Sequence, residues 1–350
     1  MQEHKTKLYK LTPLIIFGFI FIAAYFLYLN PQIQSFRQKT AVVTETSSSI
    51  IIVSTTSTFY TTSTTTGTSE TLTSDIQSAN VLHLINYALE LINNDRVNNG
   101  LEPVELGNNM AAQSHAENLA KILCLSHWDT NGMKPYMRYT LFGGKNFVQE
   151  NVAAVFMLGR TNPLSDEEIK SFLAKLEHEM MYNDASSGWG HRKNILDPSH
   201  THVNIGIAYN SQIVVLVQDF ENILIEWEEF NIKNTTVSLK GRFLQNLKPY
   251  MFLVYFDPSP TPLSREDLQH TPYNGSYSFG KLLGAVLDKG YQTDVPYIYA
   301  TKWVQKGLDF EIVFDFKKFM QTSGVYTIVL EVEDWKGRIY YASSYSIFLN

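Results

Sequence analysis

Leu11 to Leu29, LTPLIIFGFIFIAAYFLYL, carries no charged side chain. As a helix, these nineteen residues reach about 28 Å, close to the hydrocarbon thickness of a bilayer. A secretory signal is the rival reading. Its apolar core is usually shorter, and Ala23-Ala24 is followed by Tyr25 and Phe26 rather than by a small-x-small cleavage site. The segment is therefore expected to be an uncleaved signal-anchor, a single transmembrane helix over 11–29 preceded by a short cytoplasmic tail, 1–10. Lys5, Lys7 and Lys10 before it and Arg37 and Lys39 after it give only a slight bias for orientation. Next comes a tract in which 22 of the 35 residues from Thr40 to Ser74 are Ser or Thr, with no Lys, Arg or Pro. Such a tract cannot bury a core, so 30–77 is expected to be a disordered, glycosylatable stalk that carries the rest of the chain outside the cell. The acceptor triplets at Asn234 and Asn274 suit a glycoprotein on that side.

Two regimes divide the remaining residues. From 78 to 225, helical periodicity alternates with strand-like runs. Leu82, Ile85, Leu89 and Ile92 recur at helical spacing. A second helix is expected from about Asn108 to Leu125, and a third from Ser165, whose spacing to Glu168 makes a capping box, to Tyr182. NIGIAY and QIVVLVQDF then read as a hairpin across Asn210-Ser211. From 226 to 350 the chain consists of short β-branched and aromatic runs between turns, expected to form an antiparallel, immunoglobulin-like β-sandwich, with polar residues around Lys233 leaving room for a loose junction. The fold class is thus α+β. Net charge of −6, from 28 Lys+Arg against 34 Asp+Glu, gives nucleic acid no basis for attraction. The single cysteine, Cys124, excludes an intrachain disulfide and a thiolate-rich zinc cluster.

The groups able to do chemistry lie in the first regime. His127 follows Ser126 in SHWDTNGMKPYMRY, His191 opens HRKNILDPSHTHVNIGIAY after Gly-Trp-Gly, Glu150 lies in VQENVAA, and Glu177 and Glu179 sit on the third helix. Two imidazoles and two carboxylates on separate segments are able to converge on one cleft.

SHWDTNGMKPYMRY, QENVAA and WGHRKNILDPSHTHVNIGIAY resemble the CAP superfamily (cysteine-rich secretory, antigen 5 and pathogenesis-related proteins; the SCP domain), in particular its cysteine-poor microbial members. LINNDRVNNGLEPVEL is similar to that family's opening helix. The likeness covers about residues 80–222. It implies an α-β-α sandwich whose cleft holds a tetrad of two His and two Glu, able in some members to bind a divalent metal such as zinc. Residue by residue, it places the first histidine at His127, the first glutamate at Glu150 and the second histidine at His191. Gln149 stands where the family has Gly. The second glutamate falls at Glu179 by preference, with Glu177 the alternate, because Leu176 takes the place of the family's helix Trp.

Such a set is able to form an open zinc site that activates water, which would make the protein a metal-dependent hydrolase of peptides or lipid esters. Against this, the chain has no His-Glu-x-x-His helix and no Ser or Cys nucleophile in a recognisable turn. The favoured expectation is a membrane-anchored cell-envelope binding module that engages a lipid, glycan or protein ligand, with a His/Glu cleft able to hold a divalent metal or ligand and with weak or no turnover. Other residues have plainer expectations. His115 packs in the second helix, His178 faces solvent, one or both of His200 and His202 lie at the surface of a strand start, and Cys124 is a buried inert thiol. The Asp129 loop is too poor in acids for calcium. Arg138 and Arg192 are candidates to pair with carboxylates near the cleft.

Overall fold

The computed structural model describes residues 81–349 other than residue 158, together with the backbone of Lys7–Leu8 (β1), which pairs with Tyr291–Gln292 (β11), and of 50–54. The expected anchor at 11–29 and most of the stalk lie outside the described residues. Among those described, no helix is long and apolar enough to cross a membrane. The backbone of Ile50–Ser54 (β2), within the Ser/Thr-rich tract, pairs in parallel with Phe147–Phe156 (β4).

The first domain is a three-layer sandwich. Its sheet runs β2-β4-β6-β5-β3, with β3 at Glu105–Leu106, β5 at His202–Asn210 and β6 at Ile213–Asn222. On one face lie α1 (Leu82–Asn98) and α4 (Asp166–Tyr182), which pack Leu84, Ile92, Leu173 and Leu176 against Val203, Ile207 and Leu216. On the other lies α2 (Ala111–Ile122), which packs Ala112, Ala116 and Leu119 against Val152, Ala154 and Val215. With both faces covered, β6 is buried at every position, which is why its sequence runs apolar instead of alternating.

Local signals fixed several boundaries. Ser165 and Glu168 close the expected capping box at the start of α4, and the β5–β6 hairpin turns after Asn210, whose Oδ1 accepts from the Gln212 amide. In α1 the buried stripe is Leu84, Ala88, Ile92 and Arg96, whereas Leu82 is 55% exposed. The helix has apolar residues on several faces, so spacing alone misplaced the stripe. α2 is shorter than expected at both ends, and Leu123, with φ of 50°, stops it. Where α2 crosses β5, Gly206 touches the Ala112 carbonyl, and a Cβ there would overlap backbone. Gly206→Ala is expected to cost about 1–3 kcal/mol, read as a lowered melting temperature. An unchanged melting temperature would contradict this helix placement.

The second domain is a two-sheet sandwich around one apolar core. Its first sheet has the order β12-β10-β9-β15-β16, and its second β13-β14-β8-β7. The first is built from Tyr297–Tyr299 (β12), Lys281–Leu287 (β10), Leu247–Asp257 (β9), Gly324–Asp334 (β15) and Ile339–Leu349 (β16). The second comprises Lys302–Lys306 (β13), Asp309–Asp315 (β14), Thr236–Phe243 (β8) and Ile225–Lys233 (β7). The sandwich is not wholly antiparallel as expected, since β10 and β12 run parallel. Nor is 225–235 a loose junction, because β7 occupies it.

The two domains are closely packed. Lys134 and Tyr136 both reach Asp257, at 2.7 and 2.8 Å. The Ser346 amide donates to Thr140 Oγ1 at 3.0 Å, and Tyr136, Met137 and Val148 share a core with Val325 and Phe348.

Candidate functional site

Four elements of the first domain and one loop of the second supply the site. His127 follows the end of α2, Glu150 lies on β4, and Asp219 faces Glu150 as its direct partner across the β4–β6 pairing. His127 Nδ1 meets Glu150 Oε1 at 2.7 Å. Arg138, on the short helix α3 (Pro135–Leu141), clamps the other carboxylate oxygen at 2.6 Å and donates to the carbonyls of His127 and Met133. Tyr277, from the loop before β10, covers this pair. Its ring lies 4.8 Å from that of His127, and its hydroxyl oxygen accepts the Glu150 amide N–H at 2.9 Å. The side chains of His127 and Glu150 are consequently 0% exposed.

Enclosure sets the protonation states. Burial pushes the Glu150 carboxyl up, with the Arg138 guanidinium opposing. Burial and the facing Glu150 push Asp219 well above the ordinary carboxylate range, as is expected where two acids share one dry site and only one ionises. Burial first, then electrostatic repulsion from His191 and Arg138, holds His127 well below the usual imidazole value. His115 is lowered in the same way by burial and Arg138. His115 is not merely helix packing. Its Nε2 lies 2.9 Å from the Ser126 carbonyl and 3.9 Å from Glu150 Oε1.

His191 opens the short helix α5 (Gly190–Ile195) and is held by a residue absent from the sequence reading. Asp184, in the turn after α4, meets His191 Nδ1 at 2.6 Å. Burial would raise the Asp184 carboxyl, but the hydrogen bond and charge of His191 bring it below its ordinary value.

Of the two helix glutamates, Glu177 is buried and Glu179 is only partly so, which reverses the preference drawn from the sequence. Glu177 Oε2 accepts from Gln218 Nε2 at 2.5 Å. Burial, only partly offset by that bond, pushes its carboxyl up to about 8. A chain of amides extends from it. Asn151 donates to Gln218 Oε1 at 3.1 Å, Asn194 donates to Asn151 Oδ1 at 2.9 Å, and Asn194 Oδ1 in turn meets His200 Nε2 at 2.8 Å. Of the two histidines at the strand start, His200 is buried and His202 only partly so, while His178 is exposed as expected. Cys124 is buried with its thiol pKa raised by burial. Arg138 pairs with a carboxylate, whereas the Arg192 guanidinium reaches the Met181 carbonyl and the Asn99 side chain.

The fit to a metal is partial. His127 Nε2 and Glu177 Oε1 are buried with no hydrogen-bond partner, and carboxylates on the Nδ1 atoms of His127 and His191 are what orient imidazole ligands in metal sites. Yet among the described residues no group of three or more His, Cys, Asp or Glu comes together to hold a metal. What the arrangement does is fix two imidazoles by carboxylates in a dry interior.

An α-β-α domain carrying two such histidine–carboxylate pairs defines the class. Residues 89–220 match the CAP family, the Cysteine-rich secretory protein family, so the first domain is a CAP domain. Among solved structures, the chain is similar to the CAP domain of Enterococcal PrgA, with 17% identity over 52% of this chain and 69% of that one and a TM-score of 0.30. No curated protein matches the chain.

Proposed function

We propose that this is a membrane-anchored extracellular protein whose CAP domain serves a cell-envelope binding role rather than hydrolysis. The anchor and stalk rest on the apolar run at 11–29 and the hydroxyl-rich tract after it. The observation that carries the preference over a hydrolase is the enclosure of His127 and Glu150. A hydrolytic pair must reach water and the scissile bond. Here Tyr277 of the second domain occupies that approach and Arg138 takes up the carboxylate. Among the described residues, no three ligands come together to make the zinc site that the alternative, a metal-dependent peptidase or lipid esterase, requires.

The test uses the full chain equilibrated with zinc and assayed against a mixed panel of peptides and esters, with His127→Ala and His191→Ala alongside. The expected result is less than one tightly held zinc per chain and no hydrolysis above the buffer rate. Stoichiometric zinc and turnover, both lost in the His127 and His191 variants, would overturn the reading in favour of the hydrolase.

A further inference from the structure

At one end of the second domain, three turns far apart in sequence close on a cavity of about 450 Å³, within the roughly 300–1,000 Å³ of small-ligand sites. They are the β8–β9 turn with Asn246, the β13–β14 turn beside Gln305, and the β15–β16 turn with Trp335. In β-sandwiches the turns clustered at one end commonly carry recognition. Trp335 is 75% exposed, the most exposed large apolar side chain among the described residues. A single exposed aromatic needs no explanation by itself; here it borders a polar cavity on a turn that is held rigidly. Asp334 Oδ1 accepts from the amides of Lys336 and Arg338 at 2.8 and 2.9 Å, Oδ2 accepts from Arg338 Nε at 2.7 Å, and Gly337 turns with φ of 80°. Partial burial would raise the Asp334 carboxyl, but these hydrogen bonds hold it at about 2. The turn therefore keeps its shape at any ordinary pH.

The groups around the indole are of mixed sign and directional. Lys248 Nζ and Glu333 Oε2 pair at 2.9 Å along one wall while staying half and one-fifth exposed, so each keeps capacity for further hydrogen bonds. Gln305 Nε2 is anchored to the carbonyls of Leu247 and Gly307, at 2.8 and 3.0 Å, which orients its side-chain carbonyl as an acceptor. Lys336 Nζ lies 4.7 Å from the centroid of the Trp335 ring and covers one face of it, so a ligand would pack on the other. A cation, two carboxylates and two amides lining the cavity beside that indole match a molecule with hydroxyls that both donate and accept and with a C–H face that packs on an aromatic ring. They do not suit an anion, because Lys248, the one cation lining the cavity, is already taken up by Glu333, and Arg338 beside it by Asp334. Nor do they suit an acyl chain, which would leave the Lys248–Glu333 pair buried without water.

We propose that this end of the second domain is a binding site for a neutral saccharide, with Trp335 as the stacking platform and Lys248, Glu333 and Gln305 as the hydroxyl-directed groups. The site is separate from the CAP cleft and stands whether or not that cleft binds or reacts.

The experiment titrates the full chain, in a detergent without a sugar headgroup, with chitotriose, maltotriose and mannotriose, followed by calorimetry and saturation-transfer NMR. At least one trisaccharide is expected to saturate. Trp335→Ala should weaken it at least about tenfold and Lys248→Ala several-fold, while Trp189→Ala, at another exposed indole, leaves it unchanged. Because both tryptophans are exposed, melting temperatures should stay at the wild-type value and separate lost binding from lost folding. The proposal is overturned if no trisaccharide saturates up to about 10 mM, or if binding survives Trp335→Ala. It is equally overturned if Trp335 instead governs adsorption to phosphatidylcholine vesicles with no saccharide bound.

Discussion

Glu177→Gln is expected to raise the melting temperature markedly at pH 8 and only slightly at pH 5. The carboxyl moves from an ordinary value of 4.5 to about 8 in the folded chain, mainly through burial. Between those values the folded state holds a proton that the unfolded state releases. The contribution is thus fully present below about pH 4.5 and is lost progressively as pH rises toward 8. At about 1.4 kcal/mol per pKa unit the loss is on the order of several kcal/mol. Glutamine keeps the shape of the protonated acid and the bond to Gln218 but has nothing to ionise, so it removes the loss. Glu331 is also pushed up by burial, to about 7, and adds the same slope to wild type and variant alike. The difference between their denaturation curves across pH 5–8 isolates Glu177. A pH-independent effect of Glu177→Gln would contradict a buried, protonated carboxyl.

Removal of the Arg138 guanidinium should be the most damaging change at the site. Arg138 is the positive charge in direct contact with Glu150, beside Asp219, and its other nitrogen ties down the His127 and Met133 carbonyls. Arg138→Ala leaves a buried acid pair without its counter-charge, at a cost of about 3–5 kcal/mol. In a chain of this size that lowers the melting temperature by roughly 10 °C. Arg138→Lys should recover only part, because an ammonium cannot reproduce the planar fork that spans carboxylate and carbonyls. Adding Glu150→Gln to Arg138→Ala should restore much of the loss, since the stranded charge is then gone. A fall of less than 1 °C in the single variant would show that the clamp is not formed in solution.

The helix glutamates show how closely sequence approached the site. At about 100° per residue, Glu177 and Glu179 flank the stripe marked by Ile169, Leu173, Leu176 and Met180 on opposite sides, roughly 70° and 90° from its centre. The apolar positions alone therefore left both glutamates open, and only the packing of the helix decided that Glu177 is the buried one. Asp184 and Asp219 were harder to find. Asp184 belongs to a turn seven residues before its histidine, and Asp219 ends an apolar run where a charge reads as a strand terminus. Arg96 is buried in the last turn of α1, donating to the carbonyls of Ile195, Asp197 and His200, and those acceptors lie some hundred residues away.

The order of elements, the capping box at Ser165, the β5–β6 hairpin, the change of regime near 225 and the two histidines of interest were determined by the sequence alone, because each rests on periodicity, turn chemistry or a short motif within a few residues. Only the tertiary structure decided which carboxylate meets which imidazole, that Glu150 faces Asp219, and that Tyr277 seals the pair from a domain more than a hundred residues downstream. Those outcomes depend on strand register and domain docking. Both are set by the summed burial of side chains distant in sequence, and no local pattern records that sum.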